Sequence, residues 1–284
     1  MTTDAGDAAE EAGCEVVTTR SGARAMRDRA TGELMHPIVG PQLEAEKLYV
    51  EASRLEARLA DWSPEPLVLL EVGLGAGSNA IAAWKVSERR PPTARRLEMV
   101  SFDRTTVALA LALSAEHAAA FGFEGMALNA ARALLAKGRH ETPRTAWRLE
   151  QGDLPATLAR VAEGSADVVF WDPFSPRANP SLWTVTAFGA LRRACREGAT
   201  VHTYSAATAV RSALLLAGFA VGAGVETATG KQTTQAAVGL HALARPLDRR
   251  WLERLARSSA PLPSDAPKDA LARIGALPQF PNEA

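Results

Sequence analysis

A chain of 284 residues, 47% hydrophobic and 23% charged, has the apolar content for one large domain with a sizeable core. It has no apolar run of about 18 residues, which excludes a membrane-spanning helix, and its acidic start, MTTDAGDAAEEAG, lacks the pattern of a secretory leader. A net charge of +0 argues against a strong polyanion binder, and two distant cysteines and five histidines without metal-ligand spacing argue against a disulfide framework or a metal site.

Residues 1–15 carry five acids and no Lys or Arg, and read as a disordered acidic tail. The rest of the chain then holds 32 basic and 27 acidic residues, a modest +5. Its arginines gather in groups, among them Arg20, Arg24, Arg27 and Arg29, then Arg89, Arg90, Arg95 and Arg96. Such groups can meet phosphates or form solvated helix faces.

Residues 16–62 read as an N-terminal extension of strand and helix, with Leu43, Leu48, Ala52, Leu55 and Leu59 near one face of a helix over 43–60. The main domain is expected over 63–244. Leu67 to Val72 is a continuous apolar strand, a glycine-rich turn follows, and Ser78 or Asn79 is placed to cap the next helix. The alternation continues with strand 97–102, helices about 105–120 and 125–137, strand 145–150 and a helix near 154–162. Strand 166–171, helix 184–195, strand 198–203 and helix 205–216 follow, then two β segments near 219–225 and 235–243. Apolar strands alternating with helices predict an α/β fold, a mostly parallel sheet with helices on both faces. Residues 245–284 are basic and Pro-rich and read as a C-terminal appendage with a short helix over 248–257.

The turn EVGLGAGSN places Gly73, Gly75 and Gly77 at alternate positions between a strand and a helix. Glycines there let the backbone take positive φ and approach a ligand closely. A dinucleotide fingerprint needs GxGxxG; here the spacing is GxGxG with Glu71 before it, which suits S-adenosylmethionine better than a pyrophosphate. A tight turn without a ligand is the alternative. Context favours the ligand. Asp103 ends the second strand, where a carboxylate can hold a ribose diol, and Asp153 follows the next strand, where it can accept from an adenine amino group. Three acids at successive strand ends, with the glycines, read as a class I, Rossmann-like methyltransferase site. Asp172 ends the fourth strand in Asp-Pro-Phe, resembling the Asp-Pro-Pro-aromatic signature of enzymes that methylate exocyclic amines. A carboxylate there can orient an amine N–H, and proline stiffens the loop that carries it. The plainer reading is that Asp172 caps a helix and Phe174 fills core.

Together EVGLGAGSN, SFD, GD, DVVFWDPFSPRANPSLWT and TYSAATAVRSALLLAGFAV resemble the MnmC-like methyltransferase family, over about residues 67–243. The resemblance implies S-adenosyl-L-methionine as cofactor and N-methylation of an aminomethyl group on the wobble uridine of tRNA, in the cytoplasm. It implies cofactor contacts from Glu71, Gly73, Gly75, Gly77, Asn79, Asp103 and Asp153, and a catalytic place for Asp172 between the methionine end and the amine. Lys231, in GKQTT, falls where the family has a basic segment near the substrate mouth, and Phe174 is placed to stack on a base while Trp183 packs the loop. The chain departs from the bifunctional enzyme in having Pro173 where that enzyme has Gly. No second glycine-rich fingerprint follows Arg245, so the stand-alone form is expected, with the amine made by other enzymes. Two alternatives stay open. GELMHPIVGPQLEAEKLYV, Gly32 to Val50, resembles a polyamine-synthase substrate segment and points to a small-amine methyltransferase or an aminopropyl transferase. A non-catalytic cofactor-binding module is the other, against which the four acids argue.

Overall fold

Along the computed structural model, which describes residues 13–19, 21–35 and 40–281, the chain first forms a three-stranded antiparallel sheet. Its strands are β1 (Cys14–Thr18), β2 (Arg24–Asp28) and β3 (Leu34–Met35). The expected acidic tail lies outside the described residues up to residue 12, and Cys14 and Glu15 belong to β1. Arg20 and residues 36–39 of the polyamine-synthase-like segment also lie outside them.

The helix expected over 43–60 is divided into α1 (Pro41–Ala45), a π-helical turn (Glu46–Glu51) and α2 (Leu55–Ala60). The break falls at Arg54, with φ of 54°. The wide π turn buries Leu48, Tyr49 and Val50 in succession, which a 3.6-residue period would not do.

The main body follows the expected alternation. After β4 (Leu67–Val72) come α3 (Ser78–Glu88), β5 (Leu97–Asp103), α4 (Val107–Ala112), α5 (Gly125–Lys137), a short β6 (Arg139–Glu141) and β7 (Thr145–Gln151). Then follow α6 (Leu154–Leu158), β8 (Ala166–Trp171), α7 (Val185–Ala194), β9 (Cys195–Thr203), α8 (Thr208–Leu216), β10 (Ala220–Glu226) and β11 (Gln232–Ala237). The last strand stops before the expected 235–243 span is complete, because Gly239, at φ of 94°, turns the chain into a 3₁₀ turn at Leu240–Ala242.

These eight strands lie in the order β10-β11-β9-β8-β4-β5-β7-β6. The central pairings β4–β5, β4–β8, β5–β7 and β8–β9 are parallel, and β6, β10 and β11 are antiparallel at the margins. The chain leaves β4 toward β5 and β7, then returns to β8 on the other side, so the order reverses between β4 and β8. Every residue of β8 is buried, as a strand covered on both faces requires. One core layer gathers Leu69, Trp84, Phe121 and Trp147. The opposite layer gathers Leu70, Trp171, Phe188 and Leu214.

The C-terminal segment, expected as an appendage, helps cover that second layer with α9 (Arg249–Ala256) and α10 (Ala270–Gly275). Trp251 stacks on Phe280 with ring centroids 6.0 Å apart, and Asp265 accepts from Val185 N and Thr186 N, both at 2.9 Å, at the start of α7. Among the described residues no helix is long and apolar enough to cross a membrane.

Candidate active site

In doubly wound sheets ligands sit beyond the carboxyl ends of the strands, where the strand order reverses. Here that point lies between β4 and β8, and a cavity of about 1060 Å³ opens there.

Leaving β4, Gly73 has φ of 91°, and a Cβ on it would stand 2.5 Å from the carbonyl oxygen of Asp172. Glycine is therefore what lets the first turn meet the loop after β8. Gly75, at φ of 51°, passes under Met35 from β3, whose sulfur would be 2.9 Å from an added Cβ. Gly77 precedes α3 without lining the cavity and packs against Leu109 and Phe123. The expected cap by Ser78 or Asn79 does not form, since both are buried and Asn79 turns its amide elsewhere.

Asp103 ends β5 on the cavity wall. Its carboxylate accepts from Gly75 N at 2.8 Å and Thr105 N at 3.2 Å, and burial raises its pKa against those bonds. Asp153, exposed at the start of α6, lines the same wall beside Leu154 and Pro155. Glu71 is placed differently from its sequence expectation. It is fully buried behind the turn, does not line the cavity, and accepts from Ala80 N at 3.1 Å, which ties β4 to α3. Burial, with Asp172 nearby, pushes its pKa up to about 8. A strand pattern shows that an acid precedes the turn but not which side of the turn its side chain takes.

Asp172 lines the cavity with both carboxylate oxygens held. The Tyr49 hydroxyl donates to Oδ1 at 2.6 Å and the Asn79 amide donates to Oδ2 at 2.6 Å. Burial, and then Asp172 itself, push the Tyr49 pKa well above the ordinary phenol value, so this hydroxyl stays a donor. Sequence reasoning missed Tyr49, which lies off the apolar face expected for its helix. A signal was present: the chain has two tyrosines, and the other, Tyr204, donates to the carbonyl of Pro173 at 3.0 Å.

The loop after Asp172 is fastened at several points. Trp183 is buried and donates to the carbonyl of Phe174 at 2.8 Å, with its ring edge-on to Tyr204 at 5.8 Å, as a packing residue should be. Phe174 stays half-buried on the cavity wall. Glu33, a second residue that sequence reasoning missed, accepts from Ser175 N at 3.0 Å and from the Ser175 hydroxyl. Lys231 is exposed at the cavity, at the end of the turn between β10 and β11. One cavity thus brings together Gly73, Gly75, Asp103, Asp153, Asp172, Phe174 and Lys231, while Glu71, Gly77 and Asn79 stand behind its wall.

Residues 129–238 match the family model described as S-adenosyl-L-methionine-dependent methyltransferase. The tRNA 5-methylaminomethyl-2-thiouridine biosynthesis bifunctional protein MnmC of Methylibium petroleiphilum is 32% identical over 195 residues, 67% of this chain and 29% of that protein. Its namesake in Ralstonia nicotianae is 38% identical over 162 residues, 54% of this chain and 24% of that protein. The chain belongs to the MnmC-like methyltransferase family. It spans less than a third of the length of these curated relatives, 29% and 24%. The crystal structure of MnmC2 from Aquifex aeolicus superposes with a TM-score of 0.74 at 24% identity, over 93% of this chain and 86% of that one. The MnmC-like chain therefore has the class I, Rossmann-like methyltransferase fold.

S-adenosyl-L-methionine is the methyl donor that the family description names. The cavity residues fit it. A carboxylate fixed by two backbone N–H groups suits a diol, the apolar Leu154 and Pro155 beside Asp153 suit a purine, and Asp172 suits a neighbouring cationic centre.

Proposed function

We propose that this MnmC-like chain methylates the amine of an aminomethyl uridine in tRNA. The observation that carries the reading is the clamped carboxylate of Asp172 on the cavity wall, set against the first glycine of the cofactor turn. The curated relatives supply the substrate class, since their name places them in tRNA 5-methylaminomethyl-2-thiouridine biosynthesis. A tRNA-modifying role also sets its place of work in the cytoplasm.

In this reading Asp103 takes the ribose hydroxyls and Asp153 the adenine amino group, while the backbone of Gly73 and Gly75 runs alongside. The bound cofactor supplies an electrophilic methyl on a sulfonium. The acceptor must present a nitrogen lone pair to it. Asp172 accepts an N–H of that amine and aims the lone pair; Tyr49 and Asn79 keep the carboxylate from turning. A carboxylate oxygen has two acceptor sites, so one bond to each clamp donor leaves capacity for the amine. Asp172 also stabilises the ammonium that forms as the nitrogen is alkylated and accepts the proton it releases. Phe174 stacks on the base and Lys231 meets the RNA. Glu71 and Gly77 act from behind, holding β4, the turn and α3 in place.

Incubating the protein with tritiated cofactor and hypomodified tRNA, whose wobble uridine carries the unmethylated aminomethyl group, tests the reading, with a mixture of polyamines as the competing acceptor. Label in the tRNA is expected, and label in the polyamines alone overturns it. Asp172→Ala is expected to abolish turnover while cofactor binding persists.

A further inference from the structure

The charges that line the cavity are sorted by depth. Asp28, Glu33, Glu44, Asp103 and Asp172 are half-buried in its walls, with Asp153 the exposed acid among the described lining residues. The basic residues that line it, Arg104, Arg177 and Lys231, are all exposed. A free polyamine would meet that rim as like charge, and a plain polyanion would meet the walls as like charge. An amine carried on a phosphate backbone matches both layers, cation inward and anions outward.

We propose that the cavity reads its acceptor in two halves, the amine by Glu33 together with Asp172 and the phosphates flanking that nucleotide by Arg177 and Lys231. This rests on the tRNA reading above and deepens it. Glu33 reaches from the segment between β2 and β3, and its carboxylate is fixed by Ser175 N at 3.0 Å and by the Ser175 hydroxyl. Its side chain is 16% exposed, and a carboxylate has about four acceptor sites, so two bonds orient it without saturating it. The two acids meet on one loop, since Ser175 stands three positions after Asp172 and Tyr204 donates to the intervening Pro173 carbonyl. The Tyr204 phenol pKa is raised by burial first, and then by both Asp172 and Glu33.

Arg177 follows Ser175 by two positions and is 82% exposed, with one guanidinium nitrogen 3.8 Å from Glu33. A guanidinium presents five N–H donors in a planar fork, so one long approach leaves it able to take a phosphate bidentately. Lys231 offers a point charge from a separate element, the β10–β11 turn, held by bonds between Thr227 and Lys231. The two bases thus come from different parts of the chain to one opening, which suits consecutive phosphates on either side of an inserted base.

Binding of an unmodified tRNA transcript across a KCl series tests the rim half. Arg177→Gln and Lys231→Gln are each expected to reduce the slope of log affinity against log salt by about 0.7–0.9, the loss of one phosphate contact. Arg177→Lys, which keeps the charge, is expected to restore the slope. Slopes equal to that of the parent, in a protein that still labels tRNA, overturn the rim half and leave the tRNA reading standing; a parent that labels no tRNA overturns both. Glu33→Gln tests the amine half, since its amide oxygen can still accept from Ser175 N. It is expected to bind the unmodified transcript no more weakly than the parent, since it removes an acid from the wall, and to lose about tenfold of the preference for tRNA bearing the aminomethyl group, the scale of one charge-assisted bond. A retained preference overturns that half.

Discussion

At the amino-terminal ends of β4 and β8, Asp167 accepts from Val68 N at 2.8 Å and lies 3.4 Å from Arg196 and 3.9 Å from Arg95. Arg58 adds a bond to the Asp167 carbonyl and another to the Thr200 hydroxyl, each at 3.1 Å. At the carboxyl ends of the same strands Glu71 and Asp172 meet neutral donors instead: a backbone N–H, a phenol and an amide. Guanidinium groups cancel the charge of an acid, whereas neutral donors orient it and leave its field in place. One end of the sheet is thus built for stability. The other leaves the carboxylate of Asp172 without a guanidinium, open to a cationic ligand, while burial raises the pKa values of Glu71 and Asp103 there.

The comparison breaks most sharply at the clamp. Tyr49→Phe keeps the ring that lies 5.3 Å from Phe170 and removes the hydroxyl on Asp172 Oδ1. Single-turnover rates are expected to fall about a hundredfold, within the range seen for a displaced proton-handling group. Cofactor affinity by calorimetry should change by no more than about twofold. An undiminished rate would show that orienting Asp172 contributes nothing.

Arg58→Met tests the other end and should give the reverse pattern. It strips a donor from Thr200 and from the Asp167 carbonyl, which costs about 1–3 kcal/mol of stability. Urea unfolding checks this, and the turnover of the folded variant should match the parent because Arg58 does not line the cavity. A rate loss without a stability loss would mean that the two ends are not separate devices.

The same contrast explains how much of the molecule was legible in its sequence. β4, β5, β8 and α5 lie where the pattern puts them, since each strand is mainly apolar and α5 starts at Gly125 and is capped by Gly138. Gly73, Asp103 and Asp172 were legible because the fold brings successive strand ends together whatever the details of packing. Tyr49 and Glu33 were not, as they reach the β8 loop across 123 and 142 residues. Local pattern carries no record of such contacts. For Tyr49 the pattern misled, since a regular helix over 43–60 turns it away from the face that the π turn buries. The N-terminal extension, in which only the resemblance over Gly32 to Val50 pointed to substrate, supplies one side of the cavity.

Glu71 gives an effect that is read as a slope against pH rather than as a loss at one value. In the folded protein burial holds its proton on up to about pH 8, whereas an unfolded glutamate releases it near pH 4.3. Between those values the folded state binds more protons than the unfolded one. Stability must then fall as pH rises through this window, with a slope from this group of up to about 1.4 kcal/mol per pH unit. Glu71→Gln keeps an acceptor for Ala80 N and cannot ionise, so it should remove that slope. His202, buried with its pKa lowered to about 3, acts in the opposite sense, contributing stability that is lost as pH falls below about 6.5. It is common to both proteins and cancels in their difference. Denaturation of parent and variant at pH 5, 6.5 and 8, taken as about three evenly spaced points in the window, should show the variant gaining on the parent at each step. Parallel curves would mean that Glu71 is already ionised where it lies, with its charge compensated as Asp167 is at the far end of the sheet.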